Sequence, residues 1–136
     1  MLGYPVDLSN GKVVGNTKIS YCQFLANADF VSTMFGRTAN LSDVDFNGIT
    51  HFSSAIFYDT TNFTHVNFDL AFFDGVNFGK QISFFEDTIR DIGEFFSASF
   101  QKKLISNIAI SMANVHLIKQ FFMVTSRSEV RISFAR

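Results

Sequence analysis

Residues 52–63 read FSSAIFYDTTNF, with Phe52, Phe57 and Phe63 at steps of five and six. Two positions before the second and third of these stand Ala55 and Thr61. The figure extends both ways through Phe24, Phe30, Phe35, Leu41, Phe46, Phe52, Phe57, Phe63, Phe68, Phe73, Phe78 and Phe84, at steps of 6, 5, 6, 5, 6, 5, 6, 5, 5, 5 and 6. Two residues earlier in each case sits Cys22, Ala28, Thr33, Ala39, Val44, Thr50, Ala55, Thr61, Val66, Ala71, Val76 or Ile82, all small or β-branched and none charged. A helix would place apolar residues at i, i+3, i+4 and i+7, and an isolated strand would alternate at two. Steps of five and six require a chain that turns a corner at each unit. Each unit then offers one large and one small inward side chain, because i and i−2 share a face of an extended segment. Turn formers fill the gaps, as in Ser42-Asp43, Asn47-Gly48, Ser53-Ser54 and Asp74-Gly75. One such unit cannot bury its Phe alone, but stacked coils can.

Working outward, the chain has 136 residues, which suits one domain. Nineteen are Phe, and 47% are hydrophobic, which excludes a disordered chain. Eleven bases against twelve acids leave a net charge of −1, so a nucleic-acid footprint or polybasic membrane patch is not expected. A single Cys excludes an intramolecular disulfide framework and fits a reducing, cytoplasmic setting. The first twenty residues lack a basic start followed by an apolar run, so no signal peptide is expected. The apolar-leaning stretch from Leu104 to Ile118 contains Ser106, Asn107, Ser111, Asn114 and His116, and a membrane span is not expected there.

Residues 20–85 resemble the pentapeptide-repeat family, whose unit has Phe or Leu at its centre and a small residue two positions earlier. The alternating spacing is similar to the family's eleven-residue variant. Two departures stand out: Asn, Thr or His often occupies i−1, where the family favours Asp or Asn, and the step from Phe68 to Phe73 is five where six is due. The resemblance implies a mainly β fold, a right-handed quadrilateral β-helix. Four units per turn then stack Phe24–Phe46–Phe68, Phe30–Phe52–Phe73, Phe35–Phe57–Phe78 and Leu41–Phe63–Phe84, about three coils in all.

The flanking segments read differently. Residues 6–19 form two short alternating runs around Asn10-Gly11, a hairpin signal, so 1–19 is expected to be a strand or hairpin cap. After Phe85, apolar residues from Ile89 through Ile92, Phe96 and Phe100 to Phe122 step by three or four. That spacing predicts helices over 87–96 and 101–123, an α-helical cap spanning 86–124, with Glu86 and Asp87 at its positive end. The tail, 125–136, contains VRISFAR and alternates like an edge strand.

Chemistry-bearing motifs are sparse. Cys22 falls at an inward position with no His at a spacing suited to a nucleophile. His51, His65 and His116 share no metal-ligand spacing, and no phosphate loop or Ser-His-Asp set is present, so neither an enzyme nor a cofactor or metal is expected. Asp29 and His51 should be neighbours on adjacent coils and form a weak exposed pair. The Asn40 and Asn62 N-x-[ST] matches fall inside repeat units.

Two surface features remain. Five acids (Asp43, Asp45, Asp59, Asp69, Asp74) lie between Thr38 and Gly79 without a Lys or Arg. Some pentapeptide-repeat proteins imitate DNA with an acidic rod and bind DNA gyrase. A duplex carries about one charge per 1.7 Å, however, so a ~15 Å rod would need about nine. Outward positions are apolar at Leu25, Met34, Ile56, Tyr58, Leu70 and Phe72, which marks a contact surface for another protein, a second copy or the helical cap. The resulting expectation is a non-enzymatic binding or scaffolding module, with a gyrase-type inhibitor or a piece of a longer repeat protein as alternatives.

Overall fold

The computed structural model describes residues 2–102, 104–111 and 129–135. All regular structure among them is strand, joined in parallel ladders that wind into a β-solenoid of about four turns. Four full coils occupy 2–21, 22–43, 44–65 and 66–86, and the chain continues into a further turn from 87. Phe24 registers with Phe46, Phe46 with Phe68 and Phe68 with Ile89, while Phe35 registers with Phe57, then Phe78, then Phe100. The rings stack face to face in files: Phe35–Phe57 at 4.5 Å, Phe57–Phe78 at 5.1 Å, Phe30–Phe52 at 4.7 Å, Phe52–Phe73 at 5.1 Å, and Phe63–Phe84 at 5.1 Å. Neighbouring files meet edge-on, as in Phe63–Phe73 at 87°. Stacked contacts within a file and edge-to-face contacts between files both suit the ring quadrupole. Coils one strand spacing apart bring successive rings to stacking distance, so Phe fills the files while small residues fill the columns beside them.

Corner geometry explains the two step lengths. Every five-residue step but one contains a left-handed residue. On one side these are Ser32, Ser54, Gly75 and Ser97; on the opposite side they are Asp43, His65 and Glu86. At the first corner the N–H three residues beyond the Phe closes a turn: Thr33 to the Phe30 carbonyl at 3.1 Å, Ala55 to Phe52 at 2.9 Å, Val76 to Phe73 at 3.2 Å. A positive φ at the third position of such a turn is the type II arrangement. The exception is the irregular step, Phe68 to Phe73. There the ladders to both neighbouring coils shift register between Phe68 and Leu70, so one coil is a residue short and the ladder resumes beyond it.

Both flanks differ from expectation. Asn10 has φ +57° and the Gly11 N–H bonds the Leu8 carbonyl at 3.0 Å, so the turn is real. Its flanking strands, however, pair with the following coil and not with each other: Val6 with Ala28, Lys12 with Met34. The segment is therefore a coil of the solenoid, without a hairpin. The predicted helix over 87–96 is instead the strand Ile82–Glu94, and 104–111, within the second predicted helix, is the strand Leu104–Ser111. The interior files run on through Ile89, Phe95 and Phe100, all buried, because their spacing also satisfies steps of five, six and five. The rest of that helix, 112–123, lies outside the described residues. The tail strand is present as Glu129–Ala135, in parallel register with Leu104–Ser111. No helix among the described residues is long and apolar enough to cross a membrane.

Candidate functional site

The interior is filled by Phe, aliphatic and Thr side chains, with Asp87 the single buried acid among the described residues, and the other charged groups lie on the outer faces. Parallel, in-register pairing leaves outward side chains in vertical columns, one residue per coil. Of the outward apolar residues, Met34 and Ile56 are brought together on adjacent strands, half-buried, with Lys12 above them and Asn77 below. Tyr58 follows Ile56 by two on the same face and is 52% exposed. Leu25 and Phe72 are not part of that strip. Leu25 sits just past Phe24 and is exposed, its N–H bonded to the Leu2 carbonyl. Phe72 registers with His51 on another face, where the two rings stack at 4.9 Å.

A second apolar column, partly unforeseen, lies beside that stack. Ile49, Leu70 and Ile92 register in adjacent coils, half-buried and outward. Each stands three residues before an inward Phe, and counting back from Phe52, Phe73 and Phe95 would have found them.

The five acids are all engaged. Asp43 and Glu86 flank His65, with Asp43 Oδ1 3.3 Å from Nδ1 and Glu86 Oε2 2.7 Å from Nε2. The hydrogen bond to Glu86, followed by that to Asp43, raises the His65 pKa above its ordinary value. Asp45 accepts the Asn67 amide at 2.6 Å and the Gln23 amide at 3.2 Å, and the Asn67 bond chiefly lowers its pKa. Asp59 pairs with Lys80 at 3.2 Å. Asp69 accepts Arg90 at 2.6 Å, and the same Arg90 nitrogen reaches Asn47 at 3.2 Å, spanning the shortened step. Asp74 accepts the Phe96 N–H at 3.1 Å.

Several smaller expectations resolve here. Asp29 and His51 do register, yet Asp29 Oδ1 accepts the Val31 N–H at 2.9 Å and no ion pair joins the two among the described residues. A local N–H two residues on competes better for the carboxylate than a ring already stacked on Phe72. Asn40 and Asn62 cap their own corners, accepting the backbone N–H of Ser42 at 3.0 Å and of Thr64 at 2.9 Å. Cys22 is half-buried on the inner column and burial pushes its thiol up, away from nucleophile chemistry. An open groove runs past it, lined by Tyr21, Gln23, Asp43 and Asp45. Among the described residues no group of three or more His, Cys, Asp or Glu could hold a metal ion.

The fold and its faces define a β-solenoid with stacked aromatic files. Comparison with protein-family models, with curated proteins and with solved structures gives no match.

Proposed function

We propose that this chain is a non-enzymatic protein-binding or scaffolding module of the pentapeptide-repeat type, acting in the cytoplasm. The observation that carries the reading is the Met34–Ile56–Tyr58 strip. It places apolar side chains on the outside of a rod whose five acids between Thr38 and Gly79 are all engaged by neighbours. Apolar area left outward on a flat, rigid face favours a protein contact. The acidic-mimic alternative is disfavoured, because Lys80, Arg90 and His65 stand among the acids and offset them.

A photo-crosslinker at position 58, compared with one at position 37, tests the reading. Adducts are expected at 58 and should disappear when Met34→Lys and Ile56→Lys are introduced into a chain that retains its β signature. Equal adducts at both positions would refute the strip. A supercoiling assay with purified gyrase is expected to show no inhibition.

A further inference from the structure

The inner column of small residues runs from Cys22 to Val44 and on to Val66, all apolar or thiol. In the next turn its place is taken by Asp87, which registers in turn with Ile108, and Ile108 with Ile132. Asp87 is 1% exposed. Its Oδ1 accepts the Val66 N–H at 2.8 Å, and its Oδ2 is buried without a hydrogen-bond partner among the described residues. An ionised carboxylate so placed would set a full charge among aliphatic neighbours, whereas the neutral acid does not.

Among the described residues no group is positioned to answer that charge. On its own strand Glu86, Arg90, Asp91 and Glu94 lie outside, with Glu86 on His65 and Arg90 on Asp69. The strand Asn67–Phe72 carries only Asp69, already taken by Arg90. Leu104–Ser111 has no titratable residue. In the last strand Glu129 and Arg131 register with Ile105 and Asn107, and Ile132 registers with Ile108.

We propose that Asp87 is a protonated latch between the fourth coil and the turn that follows. The neutral acid keeps them docked, and loss of its proton releases the C-terminal turn while the aromatic coils stay folded. A solenoid permits such local release because each coil contacts only its neighbours. Burial pushes the carboxyl up to about 9. The unfolded segment gives up this proton in the ordinary carboxylate range, so between that range and about 9 the docked state binds the extra proton. Docking is complete below that window and weakens by up to tenfold per pH unit as pH rises through it.

Hydrogen exchange tests this in the full chain, taking the ratio of opening constants for amides at 89–100 to those at 35–57 in the same sample. The ratio is expected to climb about tenfold per unit between about pH 6 and about pH 9. In Asp87→Asn, which keeps an acceptor for Val66, it should stay flat, and in His65→Asn the climb should persist. An unchanged climb in Asp87→Asn, or its loss in His65→Asn, overturns the proposal. Should Asp87→Asn fail to fold, the side-chain carboxyl carbon of Asp87 in the wild-type chain decides by NMR. Titration near the top of that window supports the latch, and titration in the ordinary carboxylate range overturns it.

Discussion

The coils between Phe24 and Phe84 and the turn that follows them share one backbone path but fill it differently. In the first region the inward pair is a ring and a small residue: Phe46 with Val44, Phe68 with Val66. In the second it is Ile89 with Asp87. A flat ring occupies one layer and leaves room beside it, so the adjacent small-residue column can be Ala28, Thr50 and Ala71. A branched Ile spreads sideways. At Gly93, which registers with Ala71, an added Cβ would lie 2.6 Å from Ile89 Cδ1. The same fold is thus maintained by two packing arrangements, one aromatic and one aliphatic, and the aliphatic one crowds a position that Thr50 and Ala71 fill in the coils before it.

The largest effect should come from removing a ring at mid-rod. Phe57→Ala is expected to destabilise by about 3–5 kcal/mol, since Phe35 and Phe78 above and below cannot collapse into the void. Ile89→Ala should fall nearer about 2 kcal/mol. Urea unfolding of both variants would break the comparison if Ile89→Ala proved the costlier.

A smaller effect sharpens it. Gly93→Ala should cost about 1–2 kcal/mol in the natural background through its clash with Ile89. In an Ile89→Phe background the penalty should shrink, because a planar ring vacates that space. Additivity of the two substitutions in a double-mutant cycle would show that the rings and the aliphatic layer do not differ in this way.

The smallest effect concerns the outer corner that ties the two regions together. His65 is raised by Glu86 first and Asp43 second, so its protonated form favours the docked corner. That contribution is fully present below the ordinary His value of about 6.5 and is lost as pH rises through the raised folded value. Glu86→Gln should shift the His65 NMR titration downward, and an unmoved midpoint would remove Glu86 as the cause.

The Phe spacing, read with the four-sided coil that the resemblance implies, made the four files legible, because ring stacking requires residues one turn apart to coincide. It was legible only where Phe marked the centre. Beyond Phe84 the next centre is Ile89, preceded by an acid and followed by Gly93, and the interval to Phe95 and Phe100 satisfies a helical step as well as a coil step. Periodicity cannot separate the two once the ring is missing. The N-terminal turn at Asn10-Gly11 was legible as a turn, but whether its arms pair with each other or with the next coil is a long-range choice that a dipeptide does not encode. Of the outward apolar residues, Met34 and Ile56 coincide in one column because they hold the same place in the repeat, whereas Phe72 registers with His51 on another face. Asp87 reads as the start of a helix because an acid on an inner column runs against its ordinary solvation. Only extending the count by one unit would have placed it there.

The step from Phe68 to Phe73 has one residue fewer than its neighbours, yet the strands on either side resume their pairing past it, with Arg90 bridging the gap from outside. At this corner the coil closes with either five or six residues between inward rings, so step length there is set by the turn and not by the aromatic interior.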